Sequence, residues 1–450
     1  MGKYFGTDGF RGRAGDALNS EHAYKIGRFL GWYFGKKQGK KAKIAIGKDT
    51  RLSSYMLEYA LASGAASSGA YVYMLHVTTT PSVSYVTSSD RLDCGIMISA
   101  SHNKYNDNGI KIVNSDGEKI DDDLIAEIER YIDLGEPTIP FEADEKIGRI
   151  IDFSAGRNRY IGYLISSCAH SFKDLRIGLD CANGGAHMIA KSVFDALGAK
   201  TYVINASPNG VNINDNAGST HIEGLCAYVK RNSLDVAFAF DGDADRCIAV
   251  DENGNVINGD HILYILSKEF KKKGELAKDT VVTTVMSNFA LYKALEREGI
   301  KYEATAVGDR YVYESMMKNA YSLGGEQSGH IIISKYATTG DGILTAIKLT
   351  ETMISQKTTL SKLCASLVMM PQITENVSVF DKDAVMNNPS VIKKCEDVKH
   401  ELSDSGRVLI RKSGTENVIR VMVEAESYQK CKECVDKIVI TIAKEGLCCE

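Results

Sequence analysis

Three times in succession this chain runs strand, helix, strand, helix, strand, and each time the third strand delivers a loop crowded with reactive groups. In the first round, apolar runs at 42–46, 71–75 and 95–98 alternate with a small-residue helical pattern at 54–68 and a second helix after Thr78-Thr-Thr-Pro81. The second round has its strands at 176–180, 201–204 and 236–240, and the third at 281–285, 302–306 and 321–323. The loops that follow are Ser99-Ala-Ser-His-Asn103, Asp241-Gly-Asp-Ala-Asp-Arg246 and Gly324-Gly-Glu-Gln-Ser-Gly-His330. The likeness lies in element order and loop position, not in residue identity, and it predicts three related α/β units. Open α/β sheets take their ligands at the carboxyl ends of strands, so three such loops are expected around one cleft.

A chain of 450 residues is too long for a single core and should divide into three or four domains. The expected division is residues 1–155 with the serine loop, 156–255 with the acidic loop, 256–369 with the Gly324 loop, and 370–450. The first opens on Phe5-Gly-Thr-Asp-Gly-Phe-Arg-Gly12 and a helix over 20–34 with Ser20 as N-cap. The last begins at Met370-Pro371-Gln372, where hinge motion is expected, and alternates differently. Strands at 373–380, 407–410 and 418–424 and helices at 390–402 and 427–445 predict a smaller α+β domain, with Arg411-Lys-Ser-Gly-Thr-Glu-Asn417 between its last two strands.

A net charge of −4 gives no electrostatic reason to expect nucleic acid or an anionic membrane as partner, so an anionic substrate has to be met by local basic residues. Eleven cysteines, an odd number scattered among apolar positions, read as reduced thiols in a cytoplasmic protein. Cys431 and Cys434 have metal or redox spacing but sit in a helical pattern without a neighbouring His. The N-terminal stretch lacks the apolar segment of an export signal, and Gly6 stands where myristoylation expects Ser or Thr. No run of about 18 apolar residues predicts a membrane span. The oligomer is expected to be a monomer or a homodimer.

Ser101 lies just past a buried strand, close to the imidazole of His102, the amides of Asn103, Asn106 and Asn108, and the cation of Lys111. A hydroxyl so placed suits covalent catalysis, although an isolated Ser/Asn turn has purely local explanations. Gly109 is expected to permit a tight return. Asp241, Asp243 and Asp245 can turn three carboxylates toward one hard cation, and oxygen-only ligands select Mg²⁺ or Ca²⁺. An EF-hand is excluded because Arg246 replaces the required glycine, even though Glu252 stands at the twelfth place. A phosphoryl group on Ser101 would bring about −1.5 to −2 charges, which three aspartates would not tolerate without the metal. Arg411, Lys412, Ser413, Gly414, Thr415 and Arg420 suit a phosphate dianion, while Glu326, Ser328 and His330 offer partners for sugar hydroxyls. A sugar phosphate held by its existing phosphate, its free hydroxyl facing a phosphoserine, fits every part.

These residues closely resemble the α-D-phosphohexomutase superfamily over essentially the whole chain. The resemblance rests on Phe5–Gly12, Ile98-Ser-Ala-Ser-His-Asn103 with Asp107-Asn-Gly-Ile-Lys111, and the Asp241, Gly324 and Arg411 loops, five motifs in one order. The FGTDG opening, the GGEQSGH loop and the RKSGTE loop favour its glucosamine branch. The resemblance implies three similar mixed α/β domains and a C-terminal α+β domain like the TATA-box-binding protein, around a central cleft. It also implies interconversion of glucosamine 6-phosphate and glucosamine 1-phosphate, with glucosamine 1,6-bisphosphate or a related hexose bisphosphate as primer and intermediate.

By the same resemblance, Ser101 is the phosphoserine and binds Mg²⁺ with Asp241, Asp243 and Asp245. Lys111 is the general base, His102 and Arg246 support the reacting phosphoryl group, and Arg11 lines the cleft. Glu326 and Ser328 contact sugar hydroxyls, and Arg411, Ser413, Gly414 and Thr415 grip the non-reacting phosphate. Lys104 and Asn417 depart from the family motifs, which usually carry proline there, and so add a backbone donor to each loop. Competing expectations are a phosphomannomutase or phosphoglucomutase, a non-catalytic sugar-phosphate sensor, and a Mg²⁺-dependent phosphatase.

Overall fold

The structure, a computed structural model, describes residues 2–6, 8–133, 139–413 and 417–449, with residue 38 through its backbone alone. Two compact units emerge: residues 1–286 with 299–365, and residues 287–298 with 366–450.

The first unit contains three sheets built on one plan. In the first, Tyr71–Val77, Lys43–Lys48 and Cys94–Ile98 run parallel in that spatial order, and Asp107–Asn114 returns antiparallel beside Cys94–Ile98. In the second the corresponding strands are Lys200–Ile204, Arg176–Asp180, Val236–Phe240 and the antiparallel Cys247–Asp251. The third repeats the plan with Lys301–Thr305, Thr280–Thr284, Leu323–Gly325 and the antiparallel Ile331–Ile333. The last parallel strand of this round falls two residues later than the pattern placed it, because Tyr321 and Ser322 still belong to the turn that leaves the preceding helix. Each reactive loop therefore sits between the third parallel strand and its antiparallel return.

The buried faces explain why these runs are strands. Cys94–Ile98, Val236–Phe240 and Thr280–Thr284 are buried at every position, as parallel strands covered on both faces must be. Burying side chains the size of Phe238 and Phe240 is worth about 1.5–3 kcal/mol each. The first sheet carries extra strands: Phe5–Gly6 and Gly9–Arg13 at one edge, and Arg149–Asp152 at the other. Its first long helix, Ser20–Gln38, is capped by Asn19, not by Ser20. The Asn19 side chain accepts the His22 N–H at 3.1 Å. Further long helices, among them Leu52–Ser67, Asp122–Asp133, Ser154–Ser166, Gly259–Lys273 and Gly342–Ser355, complete the layers.

The second unit has a three-stranded antiparallel sheet in the order Gln372–Ser378, Val418–Glu424, Arg407–Lys412. The helices Pro389–Leu402 and Tyr428–Lys444 bury Val391, Val398, Val435 and Ile438 in its core. Cys431 and Cys434 are part of that core. The helix Phe289–Arg297 belongs to this unit: Phe289 N–H donates to Glu424 at 3.0 Å, and the Asn288 side chain brackets both peptide groups of Met370. Met370-Pro371-Gln372 thus lies inside the unit, and the division falls upstream of it, after Ala365. The cysteines are all free. No helix among the described residues is long and apolar enough to cross a membrane.

Candidate active site

Ser101 is buried in the turn that leaves Cys94–Ile98, with φ of 51°. For a residue with a Cβ this left-handed conformation costs about 1–3 kcal/mol, so the surroundings must impose it. Its N–H donates to Ser99 Oγ at 2.9 Å, and its own hydroxyl donates to Asp241 Oδ2 at 2.5 Å. Two glycines let the backbones approach this closely. A Cβ on Gly109 would lie 2.5 Å from the Ser99 carbonyl oxygen, and one on Gly242 would lie 2.6 Å from that of Ser101. Gly109 is therefore not a turn residue; it lies in an extended strand and is needed for contact with the serine loop.

The acid loop is a short turn between Val236–Phe240 and Cys247–Asp251. Asp241, Asp243 and Asp245 are buried, and one oxygen from each lies within 4.8 Å of the others. Among the described residues this is the only group of three or more His, Cys, Asp or Glu able to hold a metal ion. Asp243 Oδ1 and Asp245 Oδ1 are buried without a hydrogen-bond partner. Three buried carboxylates, two of them with an orphaned oxygen, joined by a serine hydroxyl, fit a hard divalent cation. Burial, and then the charges of Asp245 and Asp243, raise the Asp241 carboxyl well above its usual range. Asp245 goes the other way: burial opposes ionisation, but Lys111, His330 and Arg246 outweigh it.

Lys111 enters this cluster from the antiparallel strand of the first sheet. Its ammonium lies 2.8 Å from Asp243 Oδ2 and 3.2 Å from both Asp245 Oδ2 and Asp8 Oδ2. Burial alone would lower its pKa, yet Asp243, Asp245 and Asp8 hold it well above the ordinary lysine value. General-base action by Lys111 would require that shift to reverse. His102 is the reverse case. Burial, together with Arg246 and Arg11, lowers its pKa to about 4 and keeps the ring neutral near pH 7.

The third loop is joined to the second by a bridge between Arg246 and His330. Glu326 Oε1 accepts the Gly308 N–H at 3.0 Å. Gly340 N–H donates to His330 Nε2 at 3.3 Å, and His330 Nδ1 is buried without a hydrogen-bond partner. Ser328 Oγ, Arg246 Nε, Arg11 Nε and His102 Nδ1 are also buried and unpartnered. Such atoms are costly unless something completes them, and here they gather around the reactive loops.

Several residues at the site escaped the sequence reading. Asp8 pairs with Arg11 and lies between Lys111 and Lys119, and Lys119 reaches Asp309 at 2.6 Å. A cavity of about 510 Å³ is lined by Asp8, Lys111, Lys119, Asp245, Asp309 and His330 among others, a volume typical of small-molecule sites. Thr80, first residue of the helix Thr80–Ser89, donates its hydroxyl to Asp243 Oδ2 at 2.5 Å. Only Thr80 had a signal, the Thr78-Thr-Thr-Pro81 break at the end of a strand.

In the second unit, Arg411 and Arg420 are direct cross-strand partners on Arg407–Lys412 and Val418–Glu424. Burial and the Arg420 charge lower the Arg411 pKa, and Arg420 Nε has no partner. Like charges directly opposite destabilise a sheet, so the pair calls for an anion. Ser413 is buried beside them, its N–H on the Val418 carbonyl at 2.9 Å. Lys412 is turned to Asp383. Gly414 and Thr415 lie outside the described residues.

Comparison with known proteins agrees along the full length. Four family models match in order: phosphoglucomutase/phosphomannomutase α/β/α domain I over residues 2–137, domain II over 158–254, domain III over 258–370 and the C-terminal domain over 375–441. A phosphoglucosamine mutase of Lachnospira eligens is 60% identical across 99% of both chains. One from Bacillus subtilis is 48% identical, also across 99% of each. The fold is shared with a phosphoglucomutase/phosphomannomutase family protein of Burkholderia thailandensis, with a TM-score of 0.82, 24% identity and 99% of each chain covered. It is shared too with Aspergillus fumigatus N-acetylphosphoglucosamine mutase, solved in complex with GlcNAc-6P and magnesium, with a TM-score of 0.73, 16% identity, and 98% of this chain and 96% of that one covered. Four consecutive domain models and full-length relatives at 48% and 60% identity leave one assignment: the chain belongs to the phosphoglucomutase/phosphomannomutase family.

Proposed function

We infer that this protein is an enzyme that interconverts glucosamine 6-phosphate and glucosamine 1-phosphate, as the name of its full-length relatives indicates. The observation that carries the reading is the Ser101 hydroxyl, held at 2.5 Å on Asp241 inside a buried triacid loop.

In the proposed cycle Ser101 is a phosphoserine, first charged by glucosamine 1,6-bisphosphate or a related hexose bisphosphate. The O1 hydroxyl of bound glucosamine 6-phosphate attacks the phosphorus on Ser101. The P–Oγ bond breaks, Oγ gains a proton as O1 loses one, and a 1,6-bisphosphate forms. The bisphosphate then turns, Ser101 Oγ attacks the phosphorus at O6, and glucosamine 1-phosphate leaves. Mg²⁺ held by Ser101, Asp241, Asp243 and Asp245 would offset the charge gathered on the transferring group.

The chain's own groups do the rest. Lys111 and Arg246 supply fixed positive charge beside the acids, and neutral His102 offers a hydrogen bond. Glu326, Ser328 and His330 are the groups proposed for the sugar hydroxyls, and the buried orphan atoms of Ser328 and His330 support that role. Arg411, Ser413 and Arg420, with Gly414 and Thr415, are proposed for the phosphate that does not react, and Arg11 for the cleft wall. Phosphoryl transfer relies on positioning and charge neutralisation above all, which is what these groups provide.

The test is intact mass and peptide mapping of protein treated with the bisphosphate, beside turnover of Ser101→Ala. Phosphate on Ser101 and loss of turnover in the variant are expected; phosphate elsewhere, or retained turnover, would overturn the reading. Relative rates on glucosamine, glucose and mannose phosphates fix the sugar, with glucosamine expected to lead.

A further inference from the structure

Ser101 carries the chemistry, yet the groups that hold it in its left-handed conformation come from elsewhere. Its carbonyl oxygen accepts two hydrogen bonds, from Arg51 Nη2 at 3.1 Å and from Asn214 Nδ2 at 2.8 Å. The carbonyl of Asn103, two residues on, accepts from the same two atoms, at 2.6 Å and 3.0 Å respectively. One guanidinium nitrogen and one amide nitrogen thus each bridge the same pair of peptide oxygens, one on each side of His102.

Arg51 lies between the strand Lys43–Lys48 and the helix Leu52–Ser67 and is fully buried, with its Nη1 on Asp49 and, at 3.3 Å, on Ser99 Oγ. Asn214 comes from the second α/β unit, is likewise buried, and is anchored by its own N–H on the Ala182 carbonyl at 2.9 Å. Both acceptors are carbonyls, so the Asn214 amide must present its NH₂ to them; the orientation is fixed by chemistry. Gly242, the residue between the first two acids, closes the remaining side of the Ser101 carbonyl.

The geometry points to Arg51 and Asn214 as positioning residues that lock the 101–103 turn so that the Ser101 hydroxyl faces the acid loop. This rests on the phosphoserine reading above. Neither side chain is used by the chemistry. Each acts through the backbone, and because Asn214 reaches across from the second α/β sheet of the first unit, the lock sets the serine against the very sheet that carries the acids. A loosened turn would still bind sugar phosphate through the other loops but would present Oγ in the productive direction only part of the time. The effect should therefore fall on kcat and on the phosphorylation step, not on KM.

The experiment compares wild type, Asn214→Ala, Asn214→Ser and Arg51→Lys. Turnover is measured beside the rate at which glucose 1,6-bisphosphate phosphorylates Ser101, followed by intact mass, with circular dichroism to fix the folded fraction. Both rates are expected to fall about 10- to 100-fold per folded molecule in Asn214→Ala, with KM within about threefold. Asn214→Ser, which keeps a donor, should recover part of the loss, and Arg51→Lys, which keeps the charge but loses the fork, should resemble Asn214→Ala. The ³¹P resonance of phosphorylated Ser101 should shift in the variants. Unchanged rates, a rise in KM alone, or failure of both Asn214 variants to fold would overturn the proposal, the last because the amide would then be a folding element. Wild type that takes no phosphate at Ser101 would instead defeat the phosphoserine reading itself.

Discussion

The loops at 99–103 and 324–330 hold the same place in their sheets, after the third parallel strand and before the antiparallel return, yet their serine hydroxyls, Ser101 and Ser328, are finished in opposite ways. Around Ser101 the protein supplies its own partners: Ser99 for the amide, Asp241 for the hydroxyl, and Arg51 and Asn214 for the carbonyl. Around Glu326 it leaves work undone, since Ser328 Oγ and His330 Nδ1 are buried without partners. The reacting group is preorganised at the protein's expense, whereas the recognition groups wait for a ligand to complete them. Mutations on the two sides should therefore separate activity from stability differently.

The largest expected effect is at the serine. Ser101→Ala should leave less than about one-thousandth of wild-type turnover while retaining the melting temperature to within a few degrees; a coupled mutase assay and a melting curve check both.

Next come the acids. Asp243→Asn should lower turnover about 100- to 1000-fold, and chelation should stop wild type until Mg²⁺ is returned. Mg²⁺ at about a hundred times its Kd should stabilise wild type by about 2.7 kcal/mol, and Asp243→Asn should lose most of that increment in calorimetry.

In the second unit, Arg411→Ala should raise KM about 10- to 100-fold, the loss of one charged hydrogen-bonding group. It should cost no stability, because Arg411 faces the like charge of Arg420 directly across the sheet. Steady-state kinetics and chemical denaturation separate the two results.

Ser328→Ala carries the comparison to its sharpest point. It should slow turnover about tenfold yet raise stability by about 1 kcal/mol, since a buried hydroxyl without a partner is removed. A lower melting temperature would show that the Ser328 hydroxyl is satisfied as the Ser101 hydroxyl is.

The smallest effect concerns pH. His102 titrates at about 4 in the folded chain, below its ordinary 6.5. The unfolded state therefore binds its proton first, and stability is lost as pH falls from about 6.5 toward 4. His102→Asn should flatten that part of the curve, measured as the denaturation midpoint against pH, and leave it unchanged above pH 7.

Much of this was legible one residue at a time. Val236–Phe240 and Arg176–Asp180 are where their apolar runs predict them, because strands buried on both faces are written as continuous apolar sequence. Asp241, Asp243 and Asp245 declare themselves by spacing within one turn. The errors have equally local causes. Asn19 took the cap from Ser20 because only its side chain meets the His22 N–H. The three acids around Lys111 were not legible together, because one of them, Asp8, lies more than a hundred positions away.

The order of elements, the threefold plan, the serine and the acid triplet were thus determined by sequence alone, since periodicity and short-range spacing encode them. Tertiary structure alone decided which distant groups share a carbonyl or a charge: Arg51 with Asn214 on one turn, and Asp8, Lys111, Lys119 and Asp309 in one chain of ion pairs. The reason is physical. Hydrogen bonds and Coulomb attraction act over a few ångströms of space, and only the packing of the sheets brings residues so far apart along the chain within that reach.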